Sequence, residues 1–344
     1  MESGEKRKGI WRRRLLTVVC VLLALILLLG IFAAVYINSW INKIPRATEP
    51  NETLSSSEIQ ALEMQTDPED ATFTGPTLDP EDVTWATAPN ELVGDGSELI
   101  NILLIGQDRR EGQGRQRSDA MILCTVNVKE KTLTMTSFLR DLYVQIPGYQ
   151  DTRLNHAYAY GGMPLLNQAL ELNFGVHVDG NVEVDFNSFQ KVIDMVGGVD
   201  ISLTQAEANH LNRGTNWGLV SGVNHLNGEK ALAYSRIRYI GTDFGRTNRQ
   251  RTVLTALLNQ SRDLSYDRLM DLLEEMLGLI TTDMTNLEIM QYAAALIPLL
   301  KDLQIQTQYI PAEGTYRSAM IRGMYVLVPD LEANRKILKE SLIP

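Results

Sequence analysis

The feature that most constrains this chain is an uninterrupted apolar run from Leu15 to Ile37, LLTVVCVLLALILLLGIFAAVYI, with no charged side chain. At about 1.5 Å rise per residue, a helix over it spans the roughly 30 Å hydrocarbon core of a bilayer. Lys6, Arg7, Lys8, Arg12, Arg13 and Arg14 precede the run, and only Lys43 and Arg46 follow nearby. The positive-inside rule therefore places the N-terminus in the cytoplasm and the rest of the chain outside. Trp11, Tyr36 and Trp40 suit the two interfacial belts. A cleavable leader has a shorter apolar core, about 7–15 residues, ending in a small-x-small site. Phe32-Ala33-Ala34 matches that poorly. The expectation is a cytoplasmic tail (1–14) and a single uncleaved plasma-membrane span (15–37), with an extracytoplasmic remainder.

Formal net charge is −10, but the acidity is local. Ala47 to Glu98 holds 13 Asp and Glu and no Lys or Arg, leaving 29 acidic against 32 basic residues elsewhere. This stretch is rich in Thr, Ser and Pro and lacks strong apolar periodicity. Residues 38–97 therefore read as a mobile acidic linker, with a short helix at Ser57–Met64. Cys20 and Cys124 give no disulfide framework and no zinc spacing.

From Glu98 the texture changes. Leu99–Ile105 is a short apolar run ending at Gly106, as in a buried strand. Ala120–Val128 and Thr132–Phe138 form a hairpin across Lys129-Glu130-Lys131. Helical spacing follows at 163–173, 188–196, 228–235, 247–263, 266–280 and 287–303, with strands at 199–203, 304–310 and 324–328. Interleaved strands and helices predict an α/β domain over 98–340. Its architecture is three-layer α-β-α, with a mixed central sheet covered on both faces.

Three segments concentrate charge where strands end. Asp108 and Arg109 follow the first strand, and Arg117 and Asp119 open the next. Two carboxylates at adjacent strand ends can share a hard cation, and Mg²⁺ is commonly held by one or two carboxylates plus waters and substrate phosphates. Arg140 and Asp141 follow the strand ending at Phe138, and Arg153 and His156 lie shortly beyond. The densest segment carries Arg236, Arg238, Asp243, Arg246, Arg249, Gln250 and Arg251. Arg236 and Arg238 alternate as on a strand. Arg246 and Arg249 share a face of a starting helix, whose free N–H groups favour an anion. Arginine predominates over lysine, as suits bidentate forks on phosphate oxygens.

Any one of these arginines alone reads as a surface ion pair. As a set at the ends of buried strands they do not, because unpaired charge there is expensive. The external location and the lack of a recognisable RNA motif or DNA-reading helix exclude nucleic acid. His177, His210 and His225 share no metal spacing and read as structural. The apolar stripes Leu269–Ile280 and Ile289–Leu300 are rich enough to line a lipid tunnel, but such stripes usually form core.

In Ile105–Arg109, Arg117–Asp119, Phe138–Asp141, Arg153–Ala157, Val184–Gly198 and Tyr234–Gln250, the chain resembles the LytR-CpsA-Psr family of bacterial cell-wall enzymes. That resemblance implies transfer of an anionic glycopolymer, of teichoic acid or capsular type, from an undecaprenyl-pyrophosphate carrier onto peptidoglycan. A phosphodiester to muramic acid forms and undecaprenyl phosphate leaves. By the same resemblance Asp108 and Asp119 hold Mg²⁺. Arg109, Arg117, Arg140, Arg236, Arg238, Arg246, Arg249 and Gln250 meet the pyrophosphate. Asp243 is the base or orienter, acting with Arg117 and Arg140. The same basic pocket also suits a non-catalytic polyprenyl-phosphate or polyanion binder with a regulatory role in the envelope, or a lipid pyrophosphatase. Paired carboxylates favour the enzyme, since they repel phosphate unless a metal intervenes.

Overall fold

The structure is a computed structural model. It describes residues 38–39, 41–47, 56–63, 67–89, 92–94, 98–107, 116–238, 240, 243–262 and 264–343. The chain divides into two compact units, Met1–Ile44 and Pro45–Pro344. In the first, the described residues close a short turn, the Asn42 amide donating to the Asn38 carbonyl at 3.1 Å. The expected tail and span, 1–37, lie outside the described residues, among which no helix is long and apolar enough to cross a membrane.

The second unit opens with helices α1 (Ser56–Glu63) and α2 (Pro68–Thr72). Strands β1 (Leu99–Gln107), β2 (Ser118–Asn127), β3 (Thr132–Phe138), β4 (Tyr143–Val144) and β5 (Thr152–Arg153) follow. Next come α3 (Leu154–Phe174), β6 (Gly180–Asp185), α4 (Phe186–Met195), β7 (Val199–Leu203), α5 (Gln205–Leu211) and β8 (Gly222–Leu226). Then come α6 (Gly228–Ser235), α7 (Asp243–Arg262), α8 (Tyr266–Met276), β9 (Thr281–Thr282) and α9 (Asn286–Leu296). The chain ends in β10 (Gln304–Ile310), β11 (Tyr316–Ile321), β12 (Met324–Pro329) and α10 (Leu331–Leu342).

The central sheet has the order β10-β3-β2-β1-β6-β9. It is mixed, as expected. β1–β2 and β2–β3 run antiparallel, while β1–β6 and β3–β10 run parallel. In β1 the strand pleat buries Leu99, Asn101, Leu103, Ile105 and Gln107 in alternation. Leu103, Ile105, Met121, Leu123 and Phe138 join Leu154, Leu166 and Leu170 of α3 in one apolar cluster. Ile122, Val126, Leu133 and Met135 pack against Leu254 and Leu258 of α7 in another. Helices thus cover both sheet faces. Each fully buried Leu or Met contributes about 1.5–3 kcal/mol relative to exposure.

Strand directions place the carboxyl ends of β1, β3, β6 and β10 at one edge, where β2 also begins. Open α/β sheets bind ligands outside such ends. The expected mobile linker differs from what is seen. Leu62, Val83 and Val93 are buried. The Val93 amide donates to the Gly175 carbonyl at 2.7 Å, and Leu78 donates to Met320 at 2.9 Å. Isolated apolar anchors joined by backbone pairing need no sequence periodicity, so periodicity does not reveal them.

A candidate anion-binding site at the sheet edge

Backbone hydrogen bonds fix the loop after β3. The Leu139 amide donates to Ile310 at 2.9 Å, Leu154 to the Leu142 carbonyl at 2.8 Å, and Leu327 to the Asp141 carbonyl at 2.8 Å. Arg140 and Asp141 are thereby pinned beside Arg117 and Asp119 at the start of β2. Arg153, at the end of β5, is fully buried. Asp243 and Arg246 come from the first turn of α7, joined at 2.7 Å.

At the centre stands Asp67, the N-cap residue of α2. Both Nη atoms of Arg117 donate to its carboxylate at 3.2 Å. Arg153 Nη1 lies 2.8 Å from it and Arg140 Nη1 3.9 Å. Arg140 also reaches Asp119 and Glu69, both at 3.3 Å, and Asp141 at 3.6 Å. Arg238 approaches Asp119 at 3.7 Å. Beside this basket opens a cleft of about 520 Å³, lined by Glu69, Phe73, Arg238, Asp243, Arg246 and Tyr325 among others.

Burial raises the Asp67 pKa, but Arg140, Arg117, Arg153 and Arg238 outweigh it and hold the carboxyl below its ordinary value. Burial opposes charge on Arg140 too; Asp141, Asp243, Asp67 and Asp119 reverse that and keep its proton more firmly than usual. Asp141 goes the other way. Its burial, opposed by Arg140 and Arg153 and helped by Asp243, pushes it up to about 7. Several buried polar atoms have no hydrogen-bond partner among the described residues: Nε of Arg140, Nε and Nη2 of Arg153, Nε and Nη1 of Arg246, both oxygens of Asp141 and Oδ2 of Asp243. Such atoms in a folded protein call for a ligand, an ion or a catalytic role.

The structure brings together Arg117, Asp119, Arg140, Arg238, Asp243 and Arg246. Asp108 and Arg109 lie outside the described residues. Three expected residues sit elsewhere. Arg249 does not share the ligand face of Arg246: its Nε donates to Glu207 at 2.7 Å, and its Nη atoms cap the carbonyls of Ile237 and Ile240. It holds α7 to α5 and to the segment after α6. Arg236 is the C-cap of α6, not a strand residue, with its guanidinium 4.4 Å from the centre of the Phe186 ring. Gln250 lines an apolar cavity of about 110 Å³ with Leu104, Ile105, Gly106, Phe189 and Leu254. That cavity lies between β1, β2, α4, α6 and α7, and neither stripe, 269–280 or 289–300, supplies one of its lining residues. His156 is buried, and burial followed by Arg153 and Arg117 lowers its pKa to about 3, so it is neutral scaffold.

Sequence reading gave no role to Asp67, Glu69 and Asp70, which lay in a supposed linker, nor to Arg153 and Asp141. For the last two a signal existed, since both sit within the strand-end motifs.

Residues 55–341 match the LytR_cpsA_psr family, and the chain belongs to it. Among individual proteins it is similar to the polyisoprenyl-teichoic acid–peptidoglycan teichoic acid transferase TagT of Bacillus subtilis (strain 168), 37% identical over 187 residues, 51% of this chain and 58% of that protein. The chain spans about half the length of the curated relatives it matches. Solved structures share the fold. TagT bound to LIIa-WTA superposes with a TM-score of 0.60 at 29% identity, covering 75% of this chain and 96% of that one. The LytR-CPS2A-psr family protein YwtF (TagT) with bound octaprenyl pyrophosphate lipid gives 0.56 at 27% identity, with the same coverage.

Proposed function

We propose that this chain is a membrane-anchored phosphotransferase. It moves an anionic glycopolymer from a polyprenyl-diphosphate carrier onto peptidoglycan outside the cell. One observation carries the reading: Arg117, Arg140 and Arg153 converge on a single carboxylate at the sheet edge, with Arg238 and Arg246 on the adjoining cleft. Five guanidinium groups on one site suit a diphosphate, whose oxygens match their forks. The apolar cavity beside β1 suits the first part of a polyprenyl tail. The names of the relatives supply the polymer class and the acceptor.

In this reading a sugar hydroxyl attacks the phosphorus that bears the glycan. Its proton passes to a carboxylate. The bond from that phosphorus to the bridging oxygen breaks, and polyprenyl phosphate leaves with the electron pair. Arg117, Arg140 and Arg153 neutralise the departing phosphate, and Arg238 and Arg246 hold the transferred one; such preorganised charge is the main device in phosphoryl transfer. In this reading Asp243 takes the proton; its Oδ1 is ion-paired with Arg246 and its Oδ2 has no hydrogen-bond partner among the described residues. Asp119, part-exposed at the basket rim, offers one hard oxygen ligand of the kind Mg²⁺ takes, and by the family resemblance Asp108, outside the described residues, would be the second. When bound, the ion supplies charge neutralisation on the diphosphate. The span at 15–37 keeps the site at the carrier's surface and raises its effective concentration.

The test is incubation of the purified chain with a labelled lipid-linked polymer and peptidoglycan oligomers. Label on the oligomer is the expected result. Free sugar phosphate makes the protein a pyrophosphatase, and binding without turnover makes it a polyanion receptor; either ends the transferase reading.

A further inference from the structure

The basket is filled by the chain itself. Among the described residues five arginines (117, 140, 153, 238 and 246) meet six carboxylates, and three of the six, Asp67, Glu69 and Asp70, come from α2 and its N-cap. Without α2 and its N-cap, among the described residues these five guanidinium groups face only Asp119, Asp141 and Asp243, a local excess of positive charge. With α2 in place that excess is gone. The contacts are specific. Asp67 takes both Nη atoms of Arg117 in a fork, together with the Arg153 tip at 2.8 Å. Arg117 cannot grip a phosphate through the same two nitrogens without releasing Asp67.

α2 has five residues. Besides the arginines it is tied by the Tyr325 amide donating to Asp70 at 2.8 Å, and by Phe73 against the Tyr325 ring at 4.8 Å. Glu69, Thr72 and Phe73 also line the cleft, so shifting the segment widens the cleft and frees the basket together. A carboxylate leaving a buried arginine is costly unless another anion replaces it. A phosphate is such a replacement, with more oxygens for the same forks.

We infer that α2 is a displaceable internal ligand: Asp67 occupies the seat of a substrate phosphate formed by Arg117, Arg140 and Arg153, and a diphosphate binds by expelling the segment. This rests on the anion-site reading above. It makes Arg153 a phosphate ligand and makes the acidic segment a brake on occupancy. Apparent affinity falls by the fraction of molecules with the segment open.

The experiment titrates inorganic pyrophosphate into the full chain in detergent, followed by calorimetry. Asp67→Asn with Glu69→Gln removes the competing charge. Phe73→Ala loosens the segment and leaves the basket's charges intact. Both variants are expected to bind pyrophosphate about tenfold tighter than the unaltered chain. In the unaltered chain, pyrophosphate is expected to speed cleavage after Glu69 by a glutamate-specific protease, a readout that requires no variant to fold. Wild-type binding with no gain in either variant, or with Glu69 protected on binding, makes α2 a fixed wall of the site and overturns the inference. Absence of pyrophosphate binding in every form overturns the anion-site reading itself, and the brake with it.

Discussion

Asn101, near the Leu99 end of β1, is completely buried, and its polar groups are matched. Its amide donates to Asp179 at 2.7 Å, its Nδ2 to the His177 carbonyl at 2.8 Å and to Val93 at 3.3 Å, and its Oδ1 accepts from Thr125 at 2.7 Å. At the Gln107 end, Arg140, Arg153, Arg246 and Asp141 are buried almost as deeply, yet keep nitrogens and oxygens unmatched among the described residues. One strand therefore separates a polar network closed on itself from one left open among the described residues. The first serves the fold. The second spends stability on a site, since each unmatched buried polar group costs roughly 1–3 kcal/mol.

Changes at the two ends should accordingly separate binding from stability. Arg140→Ala should weaken pyrophosphate binding about a thousandfold, near 4 kcal/mol, because a buried partner of several charges is lost. Calorimetry on the folded variant measures this, and unchanged affinity would erase the distinction. Asn101→Ala should do the reverse. Its lost bonds strand their partners and lower stability by about 2–3 kcal/mol. That is read from denaturant midpoints, while pyrophosphate affinity stays at the wild-type value.

The smallest expected effect concerns Asp141. Its carboxyl sits at about 7 through burial, against an ordinary 3.8, so it is neutral below that pH and charged above. Stability therefore falls as pH climbs from about 4 to 7, where only the unfolded chain has released the proton. Anion affinity should also drop as pH rises through 7, by about tenfold. Asp141→Asn should remove that drop; a pH profile identical to wild type would mean that Asp141 does not titrate there.

Sequence alone located the sheet and the arginine loops because a buried strand that stops at an arginine is a local signal. It failed where the signal was non-local. β6 carries the buried polar residues Glu183 and Asn181, held by the Tyr158 hydroxyl and by Asp283 in other parts of the chain, so no local pattern marks the strand. Arg236-Ile237-Arg238 alternates like a strand, but a helix end also buries one residue between two exposed ones. Arg246 and Arg249 share helical spacing, and only the position of Glu207 on α5 decides that one faces the cleft and the other the scaffold. The acidic segment was hidden because its carboxylates pair with arginines 50 to 86 positions onward.

The parallel pairing of β10 with β3 has a consequence for how the protein is made. Ile310 and Leu327 hold the backbone on either side of Arg140, and both belong to strands synthesised more than a hundred residues after it. Partners so distant along the chain come together late in folding. A polypeptide released before Gln304 would contain every arginine of the basket yet lack the two backbone contacts, from Ile310 and Leu327, that flank Arg140.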